Sequence, residues 1–401
     1  MLKRDVLAMN FDKSVDLTII SNILMADGIG RQGLGLIEAV NDKLSLNVLQ
    51  LPPKSYKDIS PEVLKVLIKP FNNFGKIAFW TSILGTNAAS IKQHSAITSP
   101  LKIAYSMFES DAIPKIWVDT LNSIYDMVIV PDNYLVSIYV NSGVKIPIFV
   151  IPLGIYVQDL LNLPFKSAAG NPFTFGMSAG FWKRKNHIKL LEAFSKRFGN
   201  DEKFKLKLHG RFGPFKSEVE KAVKELGLKN VELFSTPFSV KDYNQFMNEI
   251  DCYVFPSMGE GFSVTPRESL ALGKPCIVTN NTAHKTICDS GYVVPLLANK
   301  KIPAVYEVFG NQIIGNFYDC DVNDLSKSMM NVYDNFDEFS KKAQLGREWV
   351  KQYLWSELAP TYLNIFKPKL IELKKSNVVN KNGFQTNNEN LFRKMQELLN
   401  D

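Results

Sequence analysis

The chain has 401 residues and a formal net charge of +7, from 47 Lys and Arg against 40 Asp and Glu. Its length suits two domains better than one, and an apolar content of 45% is ample for two cores. The lysines are scattered without an aromatic-interleaved basic stripe, and no apolar run reaches ~20 residues, which speaks against nucleic acid and against a membrane span.

The opening MLKRDVLAMNFDKSVD has no apolar h-region, so secretory export is not expected. Candidate strands follow at 17–24, 44–51, 76–80, 101–107, 127–131 and 147–153. They are short, continuous and separated by helical patterns, as parallel strands buried on both faces should be. After the first strand comes GIGRQG (28–33), which fits the dinucleotide-binding G-x-G-x-x-G. That fingerprint also needs a carboxylate ~20 residues on, to hold a ribose. The next strand offers Asn47 and Gln50 instead, so a redox dinucleotide is disfavoured. The segment 61–71, PEVLKVLIKPF, could touch a bilayer, but a core-facing helix is the plainer reading.

A looser stretch at 159–172 separates this series from a second one at 173–179, 204–210, 231–234, 252–256, 275–279 and 291–296. Two doubly wound sheets in tandem leave a crevice between them at the carboxyl ends of their strands. Cys252, Cys276, Cys288 and Cys320 form no C-x-x-C pair and mostly border apolar stretches. Reduced buried thiols in the cytoplasm are the expectation. Beyond about 320 the pattern is helical, 375–391 is polar and asparagine-rich, and LFRKMQELL (391–399) has the pattern of a short amphipathic helix.

The most informative stretch is DCYVFPSMGEGFSVTPRESLALGKPCIVT (251–279), which reads strand, glycine-rich loop, helix, strand. The helix is expected to start near Thr265 or Pro266, with Gly273 at its end. Amides of Gly261, Phe262, Ser263, Val264 and Thr265 then face the crevice as a phosphate seat. Glu260 precedes that seat and Glu268 lies a turn inside the helix, placed to grip sugar hydroxyls and a ribose diol. The four histidines lack metal-ligand spacing, and His209 ends a strand facing the crevice. The D-x-D at 319–321 lies beyond the second sheet and is read as chance.

E-G-F-S-V-T-P-R-E resembles the E-x7-E signature of the large retaining glycosyltransferase family with the GT-B fold, the "glycosyl transferases group 1" type. PLGI (152–155) looks like its interdomain segment, with Tyr156 where the family often has Asp. FGMSAGFWKRKNHIKLLEAF (175–194) looks like its diphosphate-binding strand–loop–helix. AYSMFESDAIPKIWVDTLNSIYDMVIVPDNY (104–134) is similar to a branch with F-E-S/T in place of a histidine motif, so the histidine's role does not transfer to Glu109. The family's usual arginine, five residues before the phosphate lysine, is here Gly180; Lys183, Arg184 or Arg211 could supply that charge.

The resemblance implies an α/β protein of GT-B fold: two Rossmann-like doubly wound domains facing a central cleft, with a helical C-terminal segment. Its parts would be an acceptor-side domain at 1–155, a linker at 156–172 and a nucleotide-sugar domain at 173–355. A helix at 356–375 would cross back to the first domain, ahead of a polar tail at 376–401. Glu260 and Glu109 are the candidate catalytic residues. Lys185, Arg184, Gly261, Phe262, Ser263, Val264, Thr265, Glu268 and Gly30 are the candidate donor-binding residues, and the loop 235–238 would border the base. The implied reaction is metal-independent, retaining transfer of a hexose from a GDP-, UDP- or dTDP-sugar. The acceptor would be a saccharide or lipid-linked saccharide in surface polysaccharide synthesis, with possible peripheral membrane contact and no cofactor. The alternatives are another GT-B class, phosphorylase- or epimerase-like, or a non-catalytic sugar-nucleotide-binding subunit.

Overall fold

The computed structural model describes residues 12–25, 28–166 and 168–376. The first domain runs β1 (Leu17–Ile23), α1 (Gly28–Val40), β2 (Leu46–Lys54), α2 (Pro61–Leu67), β3 (Ile77–Trp80), α3 (Ala88–Ser95), β4 (Leu101–Tyr105), α4 (Lys115–Ile124), β5 (Met127–Val130), α5 (Asn133–Asn141) and β6 (Ile148–Val150). Its strands pair in parallel in the order β2-β1-β3-β4-β5-β6. Helix starts carry their own signals: Ser60 accepts from the Val63 amide ahead of Pro61, and Asp132 accepts from the Tyr134 amide.

A short α6 (Gln158–Asn162) leads into the second domain. There β7 (Phe173–Ser178), α7 (His187–Phe198), β8 (Phe204–His209), α8 (Lys216–Glu225), β9 (Val231–Phe234), α9 (Val240–Glu249), β10 (Cys252–Phe255), α10 (Val264–Ala271), β11 (Cys276–Asn280), α11 (His284–Asp289) and β12 (Val294–Leu297) alternate. This sheet is also parallel, in the order β12-β11-β10-β7-β8-β9. Read from β7 as the first strand, that is the Rossmann order, and its direction reverses between β7 and β10. Ligands of such sheets bind outside the strand ends at that reversal. The approach from α6 is tied down by the buried Asp251 carboxylate, which accepts from Lys166 Nζ at 2.5 Å and from the Gly170 and Thr174 amides at 2.9 and 2.7 Å.

The sequence reading did not anticipate the next element. Strands β13 (Lys300–Tyr306) and β14 (Gln312–Asp319) form an antiparallel hairpin outside both sheets. It belongs to the second half of the chain but packs on the first domain. The Asp111 carboxylate accepts from the Asn316 amide at 2.6 Å and from the Tyr318 hydroxyl at 2.7 Å, and the Tyr306 and Phe108 rings lie 4.7 Å apart. Helices α12 (Val322–Asp334), α13 (Phe336–Val350) and α14 (Trp355–Ser376) close the described chain. Helix α14 lies against α1 and β3: Gln32 Nε2 donates to Tyr362 Oη at 2.5 Å, and Phe366 stands edge-on to Phe79 at 5.5 Å.

GIGRQG is not a loop. It forms the first two turns of α1, and Gly30 and Gly33 are there for close packing, while Gly28 faces open space. A Cβ on Gly30 would lie 2.2 Å from the Leu24 carbonyl, and one on Gly33 would lie 2.0 Å from Ser21 Oγ. Helix α2 stops at Leu67 and buries Val63, Val66 and Leu67, leaving Ile68 exposed. All four cysteines are free and buried. Among the described residues, no helix is long and apolar enough to cross a membrane. The amphipathic pattern at 391–399 lies outside the described residues.

Replacing Gly33 by Val should force α1 away from β1 and destabilise the protein by about 1–3 kcal/mol, the usual penalty for overpacking a core. Urea unfolding measures it, and an unchanged midpoint would show that the helix–strand approach has slack.

Candidate active site

Both sheet reversals deliver their loops to one place. From β7 comes a single 3-10 turn, Lys183–Lys185, closed by Asn186 at φ 65. Arg184 Nη1 donates to Glu260 Oε1 and to the Gly259 carbonyl, each at 2.8 Å, while Nη2 reaches Glu109 Oε1 of the first domain at 2.8 Å. Lys185 Nζ donates to the same Glu260 oxygen at 2.5 Å, and Ser257 Oγ to it at 2.6 Å. Of the three basic residues weighed for the second positive charge, Arg184 is the one held at this carboxylate. Lys183 is exposed, and the Arg211 guanidinium lies 5.9 Å from the Phe212 ring centre.

The charges tune one another. Burial opposes ionisation of Glu260, but Arg184 and Lys185 outweigh it and hold the carboxyl down at about 2. Burial and the neighbouring Arg184 charge pull the Lys185 ammonium down to about 8, against the pull of Glu260. Burial also works against the Arg184 charge, yet Glu109 and Glu260 raise its pKa above the usual value. Asn186 Nδ2 donates to Pro256 O at 3.1 Å and to Asp319 Oδ1 at 2.8 Å, and Lys189 Nζ bonds the other Asp319 oxygen. Asp319 therefore braces the cationic turn, while Asp321, its D-x-D companion, caps α12 through the Asn323 amide.

The glycine-rich loop after β10 reaches α10 one residue earlier than the sequence suggests. Ser263, at φ 74, holds the cap position with no side-chain cap bond, and Val264 is the first helical residue. Pro266 then falls in the first turn, where its missing N–H costs no helical bond. The amides of Ser263, Val264 and Thr265 face away from the helix body, as first-turn amides do. Fully buried Arg267 secures the loop from behind: Nη1 donates to Phe262 O at 2.5 Å and Ser263 O at 2.8 Å, and its guanidinium lies 3.8 Å from the Phe262 ring centre. His284 Nε2 sits 2.8 Å from Ser263 Oγ, and burial pushes this imidazole down to about 3, so it is neutral at ordinary pH. Gly261 and Gly259 pass close to the first domain; a Cβ on Gly259 would lie 2.3 Å from the Glu109 carbonyl.

Glu268, one turn inside α10, is also engaged on both oxygens. Arg31 Nη1, from α1 of the first domain, donates to Oε1 at 2.9 Å, and Tyr243 Oη donates to Oε2 at 2.5 Å. Gly30 is adjacent in sequence to Arg31 but packs on Leu24. The 235–238 loop is pinned by His209, whose ring stacks on Phe238 at 4.0 Å and whose Nε2 lies 3.2 Å from Thr236 O. Glu260, Glu268, Arg184, Lys185 and Glu109 thus converge with the start of α10. Tyr243, Arg267, His284 and Ser257 were not singled out from sequence. Arg267 lies inside the quoted T-P-R-E and could have been; nothing local marks Tyr243 or His284.

Residues 162–343 match the family profile described as "Glycosyl transferases group 1". The match covers less than half of the chain, and it is this span that is similar to the glycosyl transferases group 1 domain. EpsF of Bacillus subtilis (strain 168) is 28% identical over 137 residues, 34% of this chain and 35% of its own length. The uncharacterized glycosyltransferase MJ1178 of Methanocaldococcus jannaschii is 26% identical over 186 residues, 46% of this chain and 45% of its own. The chain thus aligns with less than half the length of these curated relatives. Among solved structures, Anabaena HepE in complex with UDP and glucose superposes with a TM-score of 0.66 at 12% identity, over 88% of this chain and 100% of that one. A glycosyltransferase from Rickettsia africae gives 0.63 at 18% identity, over 90% and 99%. At such identities the likeness concerns the fold, which is GT-B. Within the matched span, the E-x7-E pair brackets the start of α10 next to the reversal of the second sheet.

Glu260→Gln removes the carboxylate that holds up the Lys185 pKa, while burial and Arg184 remain. The Lys185 midpoint should therefore fall below about 8. A pH titration followed by NMR of isotope-labelled lysine side chains reads this directly. An unmoved midpoint would contradict the electrostatic account.

Proposed function

We propose that the protein is a metal-independent, retaining glycosyltransferase that moves a hexose from a nucleotide-diphosphate sugar to a saccharide or lipid-linked saccharide. The observation that carries the reading is the arrangement around α10. Two buried carboxylates, Glu260 and Glu268, bracket a helix start, and Arg184 and Lys185 converge beside it. The family match over residues 162–343 and the overlap with HepE, whose structure holds UDP and glucose, support the same class of donor.

In this reading the cleft opens, the donor enters and the domains close over it. The ribose diol donates to Glu268, the diphosphate lies on the amides of Gly261 to Thr265, and the hexose hydroxyls meet Glu260. The bond between C1 and the diphosphate oxygen breaks, and its electron pair stays on the leaving phosphate. The acceptor hydroxyl attacks C1 from the same face, a new C–O bond forms, and its proton passes to that phosphate oxygen. Lys185, Arg184 and the helix amides carry the developing negative charge in a closed, low-dielectric cleft. Glu109, tethered to Arg184 from the first domain, stands at the acceptor side. The candidate donors are GDP-, UDP- and dTDP-hexoses; the first two offer Glu268 the full ribose diol, the third only its 3′-hydroxyl. A cytoplasmic role in surface polysaccharide synthesis, peripheral to the membrane, would supply a lipid-linked acceptor.

Thermal-shift titration with UDP, GDP and dTDP and their sugars tests the donor. A ligand at a hundred times its Kd should add about 2.7 kcal/mol of apparent stability. Glu268→Ala should abolish the shift. Lys185→Ala should lower kcat by about 10²–10³, as expected for loss of a group that stabilises charge at the transition state. Transfer should persist in EDTA. A protein that binds none of these compounds, with Glu268→Ala indistinguishable from wild type, would sink the reading.

A further inference from the structure

Among the described residues, Arg31 is the one guanidinium that crosses from the first domain to the inner carboxylate of the E-x7-E pair. Its root is fixed, because Nε donates to the Met25 carbonyl at 2.8 Å just before α1. Its tip is committed to Glu268 Oε1 at 2.9 Å. Tyr243 holds Oε2, and only 2% of the Glu268 side chain is exposed, against 21% for Arg31. A ribose diol approaching Glu268 meets a carboxylate already covered by an arginine.

The position of that arginine is informative. Glu268 lies about one helical turn, roughly 5.4 Å, inside the α10 start on which the proposed reading lays the diphosphate. A guanidinium released from the carboxylate is therefore within reach of anionic oxygens there. Its planar fork of five donors suits a phosphate as well as a carboxylate. Tyr243, by contrast, stands on α9 of the same domain as Glu268.

We propose that Arg31 is a donor-responsive residue, covering Glu268 until the ribose diol displaces it and then pairing with the donor's diphosphate. This rests on the nucleotide-sugar reading above and adds to it a role for the first domain in recognising the donor. Diol and diphosphate have opposite relations to Arg31: the diol competes with it and the diphosphate recruits it. The closed cleft is thereby matched to a ligand carrying both. A nucleoside alone has to evict the arginine and offers it no new partner.

The test compares each nucleoside with its own diphosphate. Binding of uridine, guanosine, thymidine, UDP, GDP and dTDP is measured by calorimetry or NMR competition, on wild type, Arg31→Ala and Arg31→Lys. In Arg31→Ala the nucleoside should bind more tightly and the diphosphate more weakly. The nucleoside-to-diphosphate ratio of Kd should fall by about tenfold, the scale of one charge-assisted bond. Arg31→Lys keeps the charge but loses the fork, and should lower the ratio by about threefold. It also serves if the alanine variant does not fold. A merely structural role for Arg31 would weaken both ligands alike and leave the ratio unchanged, which overturns the proposal while leaving the donor reading intact. Wild type that binds only dTDP, whose sugar lacks the 2′-hydroxyl, overturns displacement by a diol. Wild type that binds none of the three diphosphates overturns the donor reading, and this inference with it.

Discussion

Two cations and a hydroxyl share one oxygen of Glu260, and much of the surrounding structure exists to keep them there. Taking such charges out of water is costly, and their mutual attraction offsets the cost only when geometry and hydrogen bonding are good. Here Glu109 supplies a second negative charge to Arg184, so two cations face two carboxylates. Asp319 holds the turn that carries the cations, and Thr282 Oγ1 accepts from the Glu260 amide at 2.9 Å. Such a cluster contributes placement more than stability. It holds cationic groups where an anion can use them, and it spans both domains.

The parallel sheets explain why this cluster and the Glu268 group are neighbours. Every strand of a parallel sheet ends on the same side, so loops after β1, β4, β7 and β10 all open toward the same cleft. Arg31, Glu109, Arg184 with Lys185, and the E-x7-E pair each come from one of these loops or the helix it starts. The hairpin β13–β14 adds a non-parallel element. It leaves the second domain, grips Asp111 two residues from Glu109, and returns as Asp319 to the base of the cationic turn.

The twelve sheet strands were legible because each is a short apolar run between helical patterns. The hairpin was not, since Pro303, Gly315 and exposed Lys300 and Lys301 break the apolar signal and its partner surface lies on the other domain. GIGRQG misled for a related reason: glycine is a poor helix former in isolation, but α1 needs small residues to lie against β1. For the candidate site, the E-x7-E spacing and the K-R-K run singled out Glu260, Glu268, Arg184 and Lys185, and the structure brings Arg184 and Lys185 to Glu260. Sequence could not say which charge faces which. That depends on the fold bringing Arg31 to Glu268 across 237 positions and Glu109 to Arg184 across 75. Tyr243 and His284 act through single contacts that leave no local pattern.

The contact of α14 with β3 bears on how the protein is made. Phe79 lies in a central strand of the first sheet, yet the rings that cover it, Tyr362 and Phe366, are near the far end of the described chain. On a ribosome this domain emerges before the second and can pair its strands, but one apolar face stays bare until α14 arrives. Of the two described domains, the one synthesised earlier is therefore the one whose core waits for the later-made α14. In the interval, that bare face is the nascent chain's most exposed point for chaperone capture or for wrong association.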